Sequence, residues 1–559
     1  MDNKTLGGII IIFVIIVGVI GVMFFNSTNP KTSGVNTPTV STNNQTIKNN
    51  TTTTNNNFSP LSNSVITLIP FSNYQSAPTP NPTPKPDPTP DSMDHIISLF
   101  DAYLTSNYDQ SLIPGMAVVI VQNGKIIYMN TLGVKDLSSG EPVDENTLFG
   151  IGSNTKSFTA VNVGQLVSAG LMSWDDPLYK FFNASDFKLY SDYVTTNMTI
   201  RDAFLHRSGL PTYDGDLIWA GFNQPYLNFT LGKLRYRENN TQFRSTFQYN
   251  NLIYALPGYA TESVTNMTWN EFFETNLLEK LGMTTATTSY YKFMNSSNHV
   301  TPYYLLSNGT MLPFEVNPDT IAPAGGLFVS INEMSNWLKF QINATGYYEG
   351  VKILNKTEFD ETHTGQMKMN ELYSYGFGWG IANDNSSFKH SGALDAFRSQ
   401  VTIYPSKGLG IVINTNGGDY GGAFRTALNN KFMDLLGGNE ISDPWPAEKN
   451  KTAESLKPVP PTPPIYNTTL PLSSFVGVYS NEFYGNINVT LSNNNLYGYF
   501  GVNPRPFELV HWNNNTFKDP VLGNYLTFND SEGNVTQLTL KQLSEGVDET
   551  SIFNRTNST

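Results

Sequence analysis

The spacing of apolar positions divides the chain into stretches of different kinds. Leu6 to Phe25 is an uncharged apolar run of about twenty residues, long enough to span a bilayer. From 26 to 92 apolar positions thin out among Asn, Thr, Ser and Pro, ending in APTPNPTPKPDPTPDS, too little to form a core and biased toward extended polyproline. At Met93 a helical period begins, and Met93 to Leu104 reads as an amphipathic helix. Gly115 to Gln122 and Lys125 to Met129, joined at Asn123-Gly124, read as a β-hairpin. Leu148 to Gly170 opens on Gly150 and Gly152, continues with Phe158, Ala160, Val161, Leu166 and Val167 at helical spacing, and closes at Ala169-Gly170. Thr199 to Pro211 reads as a short helix and loop carrying His206, for which a structural hydrogen bond is expected. Ala322 to Ser330 is a glycine turn leading into an amphipathic helix from Ile331 to Ile342. Tyr375 to Gly380 reads as a strand with alternating glycine, where another backbone or a ligand comes close, and Phe397 to Pro405 and Gly410 to Asn416 read as two more strands. After a second proline-rich stretch, short β runs alternate with Asn/Gly turns, the pattern of a small antiparallel barrel or sandwich.

These shifts predict an N-terminus at 1–5, an anchor at 6–25, a stalk at 26–92, a globular domain at 93–440, a Pro-rich linker at 441–468 and a C-terminal β domain at 469–559. Lys4 is the only basic residue before the apolar run, and no small-residue cleavage site follows Phe24-Phe25-Asn26. The expectation is a single-pass anchor at the cell membrane with 1–5 in the cytoplasm and all else outside. A cleaved signal peptide would leave the protein in the same compartment. An outside location makes the Asn-x-Ser/Thr sequons, among them Asn44, Asn50, Asn197, Asn228, Asn308, Asn343, Asn467 and Asn534, candidates for glycosylation.

Composition narrows the chemistry. Of 559 residues only 14% are charged, and the net charge is -13 with no Lys/Arg-rich run, which argues against a nucleic-acid partner. Cysteine is absent, so disulfides, thiolate metal sites and a cysteine nucleophile drop out. His95, His206, His299, His363, His390 and His511 stand singly, with no pair at i, i+4, so no metal site is expected.

The remaining chemistry gathers on a few polar residues. Ser153 falls at the first turn of the 148–170 helix and Lys156 three residues on, on the same face. A desolvated lysine is one of few groups able to activate a serine hydroxyl without histidine. The pattern alone also fits an N-cap serine and a solvated lysine. In Phe247 to Gly258, Tyr249 and Asn251 project to one side if the segment is extended. A tyrosine beside an ammonium can lose its proton far below its free pKa and exchange it with a serine; a tyrosine packed in a loop is the other reading. His390-Ser391-Gly392 leads into the paired strands, and a small residue and glycine there let a substrate carbonyl approach backbone N–H groups, as an oxyanion hole requires.

Ser153-x-x-Lys156, Tyr249-x-Asn251 and His390-Ser391-Gly392 resemble, in order and separation, the three motifs of the serine β-lactamase and penicillin-binding protein family. The framing segments IPGMAVVIVQNGKIIY, LFGIGSNTKSFTAVNVGQLVSAGLMSWDDPL, TIRDAFLHRSGLP, FQYNNLIYALPG, PAGGLFVSINEMSNWL and YGFGWG are similar to the branch holding class C β-lactamases, D-peptidases and esterases. Over about residues 93 to 437 the resemblance implies an α/β (α+β) sandwich, an antiparallel sheet covered by helices with the site between sheet and helical region. It implies Ser153 as acylated nucleophile, Lys156 and Tyr249 as proton-transfer pair, and Asn251 as orienting residue. The N–H groups of Ser153 and Ala393 would form the oxyanion hole, beside His390, Ser391 and Gly392. The third motif starts with His390 where β-lactamases carry lysine; at low pH its imidazolium would supply a positive charge, near pH 7 it would be mostly neutral. Lys389 is expected in solvent. The C-terminal part resembles the lipocalin-like barrel behind this domain in some D-amino-acid peptidases. The expected function is a membrane-anchored, extracytoplasmic serine hydrolase that needs no cofactor and acts on an amide or ester of a small molecule or peptide, as a peptidase or esterase before a β-lactamase. The other reading is a catalytically silent surface protein that binds through the same fold. Ester, D-amino peptide and β-lactam substrates, and the oligomeric state, stay open at this level.

Overall fold

A computed structural model of the chain describes residues 69–70, 92–108, 112–223, 230–306, 309–457, 466–520, 523–544 and 547–556. The apolar run at 6–25 and nearly all of the 26–92 stretch lie outside the described residues, and among those described no helix is long and apolar enough to cross a membrane. Within the expected stalk, Ile69–Pro70 forms a short strand paired with Thr310–Met311.

An eight-stranded antiparallel sheet is the frame of the larger domain. Its spatial order is Met367–Lys368, Tyr373–Tyr375, Gly380–Ala382, Phe388–Leu394, Phe397–Tyr404, Leu409–Thr415, Gly115–Gln122 and Lys125–Gly133. The 115–133 hairpin turns at Asn123 and Gly124, both at positive φ (49° and 77°), the backbone that an Asn-Gly pair accepts at least cost. Alternate residues of Gly115–Gln122 serve two cores. Met116, Val118 and Ile120 pack with Phe100, Phe424 and Phe432 of the Met93–Tyr108 and Gly418–Leu436 helices. Ala117, Val119 and Val121 face the Ile331–Asn343 helix through Trp337 and Leu338. Helices on both faces explain why this strand is apolar at nearly every position rather than at every second one.

Two expectations are corrected here. Tyr375 to Gly380 is not one strand: the chain breaks after Tyr375, turns through Gly376–Trp379 and resumes at Gly380. Gly378, at φ 81°, lies so close to the Thr155–Ser168 helix that a Cβ on it would sit 2.5 Å from the Ser157 nitrogen. The 441–468 stretch is not linker throughout, because Trp445–Ser455 is a helix whose Trp445 is buried edge-on against Phe424, centroids 5.0 Å apart; residues 458–465, which hold the proline run, lie outside the described residues.

The C-terminal part is a closed up-and-down barrel of eight strands from Gly477–Asn481 to Val547–Arg555, the last pairing with the first. Phe475, Tyr479, Phe517 and Phe528 fill its interior with centroids 4.9 to 5.7 Å apart. Its open end meets the larger domain at Phe222, which stacks on Tyr484, Phe500 and Phe553 at 5.1, 5.4 and 6.0 Å. The Val502 N–H donates to the Phe222 carbonyl at 3.1 Å and the Asn503 side chain to the Gly221 carbonyl at 3.0 Å.

Candidate active site

The helical segment that carries Ser153 and Lys156 starts from a crowded turn. Gly152, at φ 51°, opens a short 3-10 turn, Gly152–Asn154, that runs into Thr155–Ser168. A Cβ on Gly152 would meet the Ala393 backbone at 2.6 to 2.7 Å, and one on Gly392 would lie 1.8 Å from the Ile151 oxygen and 3.2 Å from the Ser153 nitrogen. Only glycines let the Phe388–Leu394 strand and the Ser153 turn pack this closely. Side chains lock the arrangement: the Thr155 hydroxyl donates to the Gly152 carbonyl at 2.7 Å and accepts from Leu327 N–H at 3.1 Å. Asn154 donates to the Ser399 hydroxyl at 2.8 Å, and Ser399 to Asn414 at 2.7 Å. Thr155 to Gly164 is buried at every residue, so this helix is interior on all sides.

Lys156 is fully buried. Its Nζ lies 3.1 Å from Ser153 Oγ, 2.7 Å from Asn251 Oδ1 and 2.7 Å from the Ala324 carbonyl oxygen. Burial pushes its pKa well below the usual lysine value, opposed by the charge of Asp216. The Asn250 side chain caps the Asn251–Ala260 helix by accepting from Ile253 N–H at 3.0 Å, and this fixes Tyr249 and Asn251 at the helix entrance. The Lys156 Nζ stands 4.7 Å from the Tyr249 ring centroid, and His206 covers that ring with centroids 4.2 Å apart. His206 follows the Ile200–Phe204 helix at φ 52° instead of lying on it, and its Nδ1 accepts from Asn250 N–H at 3.0 Å.

Two proton assignments differ from expectation. Tyr249 was expected to lose its proton easily beside an ammonium; instead burial first, then Tyr375 and Tyr213, raise its pKa well above the usual phenol value, while the Ser153 hydroxyl pulls the other way. The phenol is therefore protonated, and it sits next to Ser153 without a hydrogen bond of normal geometry. For His390 the expectation is imidazolium at low pH and a mostly neutral ring near pH 7; the neutral form in fact reaches well into acid. Burial first and then the Lys156 charge push its pKa down to about 3. Its bonds fix the neutral tautomer: Nδ1 donates to the Ser391 carbonyl at 2.7 Å, so Nε2 accepts from the Tyr375 hydroxyl at 2.9 Å. Lys389 is half-buried, its Nζ 4.4 Å from the Tyr373 ring centroid and not turned to the site.

Of the residues singled out from the sequence, Ser153, Lys156, Tyr249 and Asn251 converge directly, and Gly392 and Ala393 press their backbone against the Ser153 turn. His390 lies beside Tyr249, centroids 6.1 Å apart, and Ser391 enters through its carbonyl. Ser391 and Ala393 are the half-exposed positions flanking buried Gly392. Sequence reasoning missed Tyr375, the Ala324 carbonyl and Asp216, which accepts from Asn251 at 2.6 Å. Ala324 and Tyr375 lie in the PAGG and YGFGWG segments but outside the three motifs; for Asp216 the one signal was an acidic pair, Asp214 and Asp216, in a chain poor in charge. Among the described residues no group of three or more His, Asp or Glu could hold a metal ion.

The Beta-lactamase family model matches residues 98–431, and a domain of unknown function, DUF3471, matches 461–555. Protein flp of Staphylococcus aureus strain N315 is 27% identical over 321 residues, 56% of this chain, which spans 62% of that protein's length. The unguisins hydrolase ungD of Aspergillus violaceofuscus is 23% identical over 425 residues, covering 68% of this chain and 74% of that one. Among solved structures, the octameric penicillin-binding protein homologue from Pyrococcus abyssi superposes with a TM-score of 0.54 at 20% identity, over 82% of this chain and 96% of the other, a likeness of fold.

Proposed function

Since the chain belongs to the beta-lactamase family of serine hydrolases, whose model spans more than half of it, we propose that Ser153 opens an amide or ester bond through an acyl-enzyme. One observation carries the reading, the set of partners around Lys156. A neutral amine has two hydrogens and one lone pair. The Asn251 and Ala324 oxygens only accept, so they take the two hydrogens, and the lone pair remains for the Ser153 hydroxyl. As Oγ bonds to the substrate carbonyl carbon its proton passes to Nζ. The carbonyl oxygen gains the charge and turns to the N–H groups of Ser153 and Ala393. Tyr249, protonated and alongside, gives its proton to the leaving group as the bond to it breaks, and recovers one from the Lys156 ammonium. Deacylation is the reverse with water as nucleophile: water loses a proton to the amine, its oxygen bonds to the acyl carbon, and Ser153 Oγ leaves protonated.

His390 bears on the substrate class. Both its nitrogens are engaged and it is neutral, so the third motif has no cation for a penicillin-type carboxylate. This supports a peptidase or esterase over a β-lactamase, and the name of the Aspergillus relative, a hydrolase, accords with turnover. The apolar run at 6–25 supports a membrane-anchored enzyme facing outward, with the sequons glycosylated. The test is turnover of a p-nitrophenyl ester and labelling by a fluorophosphonate. Ser153→Ala and Lys156→Ala should each abolish both; a Ser153→Ala protein that labels like wild type refutes the assignment.

A further inference from the structure

On the side of Asn251 away from Lys156 lies a carboxyl group that belongs to none of the three motifs. Asp216 stands just before the short Leu217–Ala220 helix, is 8% exposed, and its Oδ2 accepts from Asn251 Nδ2 at 2.6 Å. Its Oδ1 is buried without a hydrogen bond of normal geometry. The segment that carries it is pinned to the Tyr249 motif at two further points. The Tyr213 N–H donates to the Tyr249 carbonyl at 2.7 Å, and the Asn250 side chain donates to the Asp214 carbonyl at 3.1 Å.

An amide side chain can be turned over, exchanging its oxygen and its NH2 with almost no change of shape. Here the choice matters to the chemistry. With the NH2 toward Lys156, two donors would oppose each other, and the amine could avoid the clash only by turning its lone pair to Asn251 and away from Ser153. With the oxygen toward Lys156, at the observed 2.7 Å, the lone pair stays on Ser153. The carboxylate of Asp216 has only acceptors to offer, so it draws the NH2 to itself. We propose that Asp216 is a positioning residue of the acylation step, orienting Lys156 through the Asn251 amide and placing a negative charge behind the amine. This rests on the reading of Ser153 as nucleophile.

The electrostatic surroundings agree. Burial raises the Asp216 pKa to about 7 against the Asn251 hydrogen bond, the nearby Trp219 indole and the charge of Lys156, while Asp214 raises it further, so the carboxyl carries its charge above about pH 7. Its ionised form in turn raises the proton affinity of Lys156. The other groups facing this pair are settled: Asp214 is ion-paired with Arg237, Tyr249 keeps its proton, and His206 and His390, which both face Lys156, are held neutral by burial.

The experiment measures fluorophosphonate labelling of the full chain against pH for wild type, Asp216→Asn and Asp216→Ala, with melting temperature as the folding control. Asp216→Asn loses the charge and, with an NH2 of its own to offer, no longer dictates which way the Asn251 amide turns. Its maximal rate should fall severalfold, and its acid limb should move a full pH unit or more toward lower pH, since the amine loses a neighbour that favours protonation. Asp216→Ala loses the orienting acceptor, and its maximal rate should fall about tenfold or more with the half-saturating probe concentration little changed. A merely structural carboxyl would not move the acid limb, so superimposable profiles for wild type and Asp216→Asn overturn the proposal, even if Asp216→Ala fails to fold. If wild type itself does not label, the nucleophile reading fails instead. The Lys156 amine, followed by NMR of 15N-lysine protein and assigned by its absence in Lys156→Ala, then decides: a pKa lowered by one or more in Asp216→Asn supports the proposal, an unmoved pKa overturns it.

Discussion

A lysine buried among carbonyl oxygens with no carboxylate in contact is worth more as a base than as a cation, and Lys156 is in that position. Because its pKa is depressed, the neutral form is present above the depressed value and lost as pH falls through it. The rate of acylation by a p-nitrophenyl ester should therefore rise with pH along an acid limb well below the ordinary lysine range; a limb near pH 10 would contradict this. Next to it, His390→Lys would return a donor cation to the third motif. That variant should gain about ten- to a hundredfold in acylation by benzylpenicillin, the worth of a hydrogen bond to a charged group, and no gain would remove His390 as the reason for substrate class. The identities of these residues are legible in the sequence, since three short motifs name Ser153, Lys156, Tyr249, Asn251 and His390. Their protonation is not, because it depends on burial that only the fold supplies. Asp216 is illegible for a related reason: its partner Asn251 lies thirty-five positions away, and no local pattern joins them.

At the level of elements, the site exists because two pieces of backbone touch: the turn at Gly152 and the strand at Gly392. Gly392→Ala puts a methyl group 1.8 Å from the Ile151 oxygen, so strand and turn must separate. A displacement of about 1 Å between reacting groups can cost a hundredfold, and labelling of Ser153 should fall by at least that much while circular dichroism of the barrel strands is retained. A Gly392→Ala enzyme of normal rate would mean that the oxyanion site is elsewhere. Period and turn chemistry made the 115–133 hairpin legible, because Asn123-Gly124 fixes both turn and register. The same rules read Tyr375 to Gly380 as a continuous strand: alternating glycine pointed to the close backbone approach that Gly378 makes to Ser157, but not to the break after Tyr375. The Trp445–Ser455 helix was hidden by the prolines around it; Trp445 is held by Phe424, not by any pattern of its own.

For the whole molecule, the important feature is a core that does not stop at the domain boundary. Phe222 of the larger domain is fully buried among barrel aromatics, and Arg237, which holds Asp214, lies 4.6 Å from the ring centroid of barrel residue Phe483. The barrel thus braces the segment that carries Asp216. Calorimetry should show barrel and catalytic domain melting in one transition, with Phe222→Ala lowering stability by about 3–5 kcal/mol; two well-separated transitions would show that the contact carries little energy. That a small β domain follows the larger one was legible from its Asn/Gly turns, but its closure and its seat on Phe222 depend on contacts between residues hundreds of positions apart. A serine acylated with a neutral lysine as base leaves a covalent product, which mass spectrometry of protein quenched seconds after mixing with a p-nitrophenyl ester can locate. One added acyl group should appear on the peptide containing Ser153 and be absent in Ser153→Ala and in Lys156→Ala; an acyl group on another residue, or one that persists in Ser153→Ala, would rule this chemistry out.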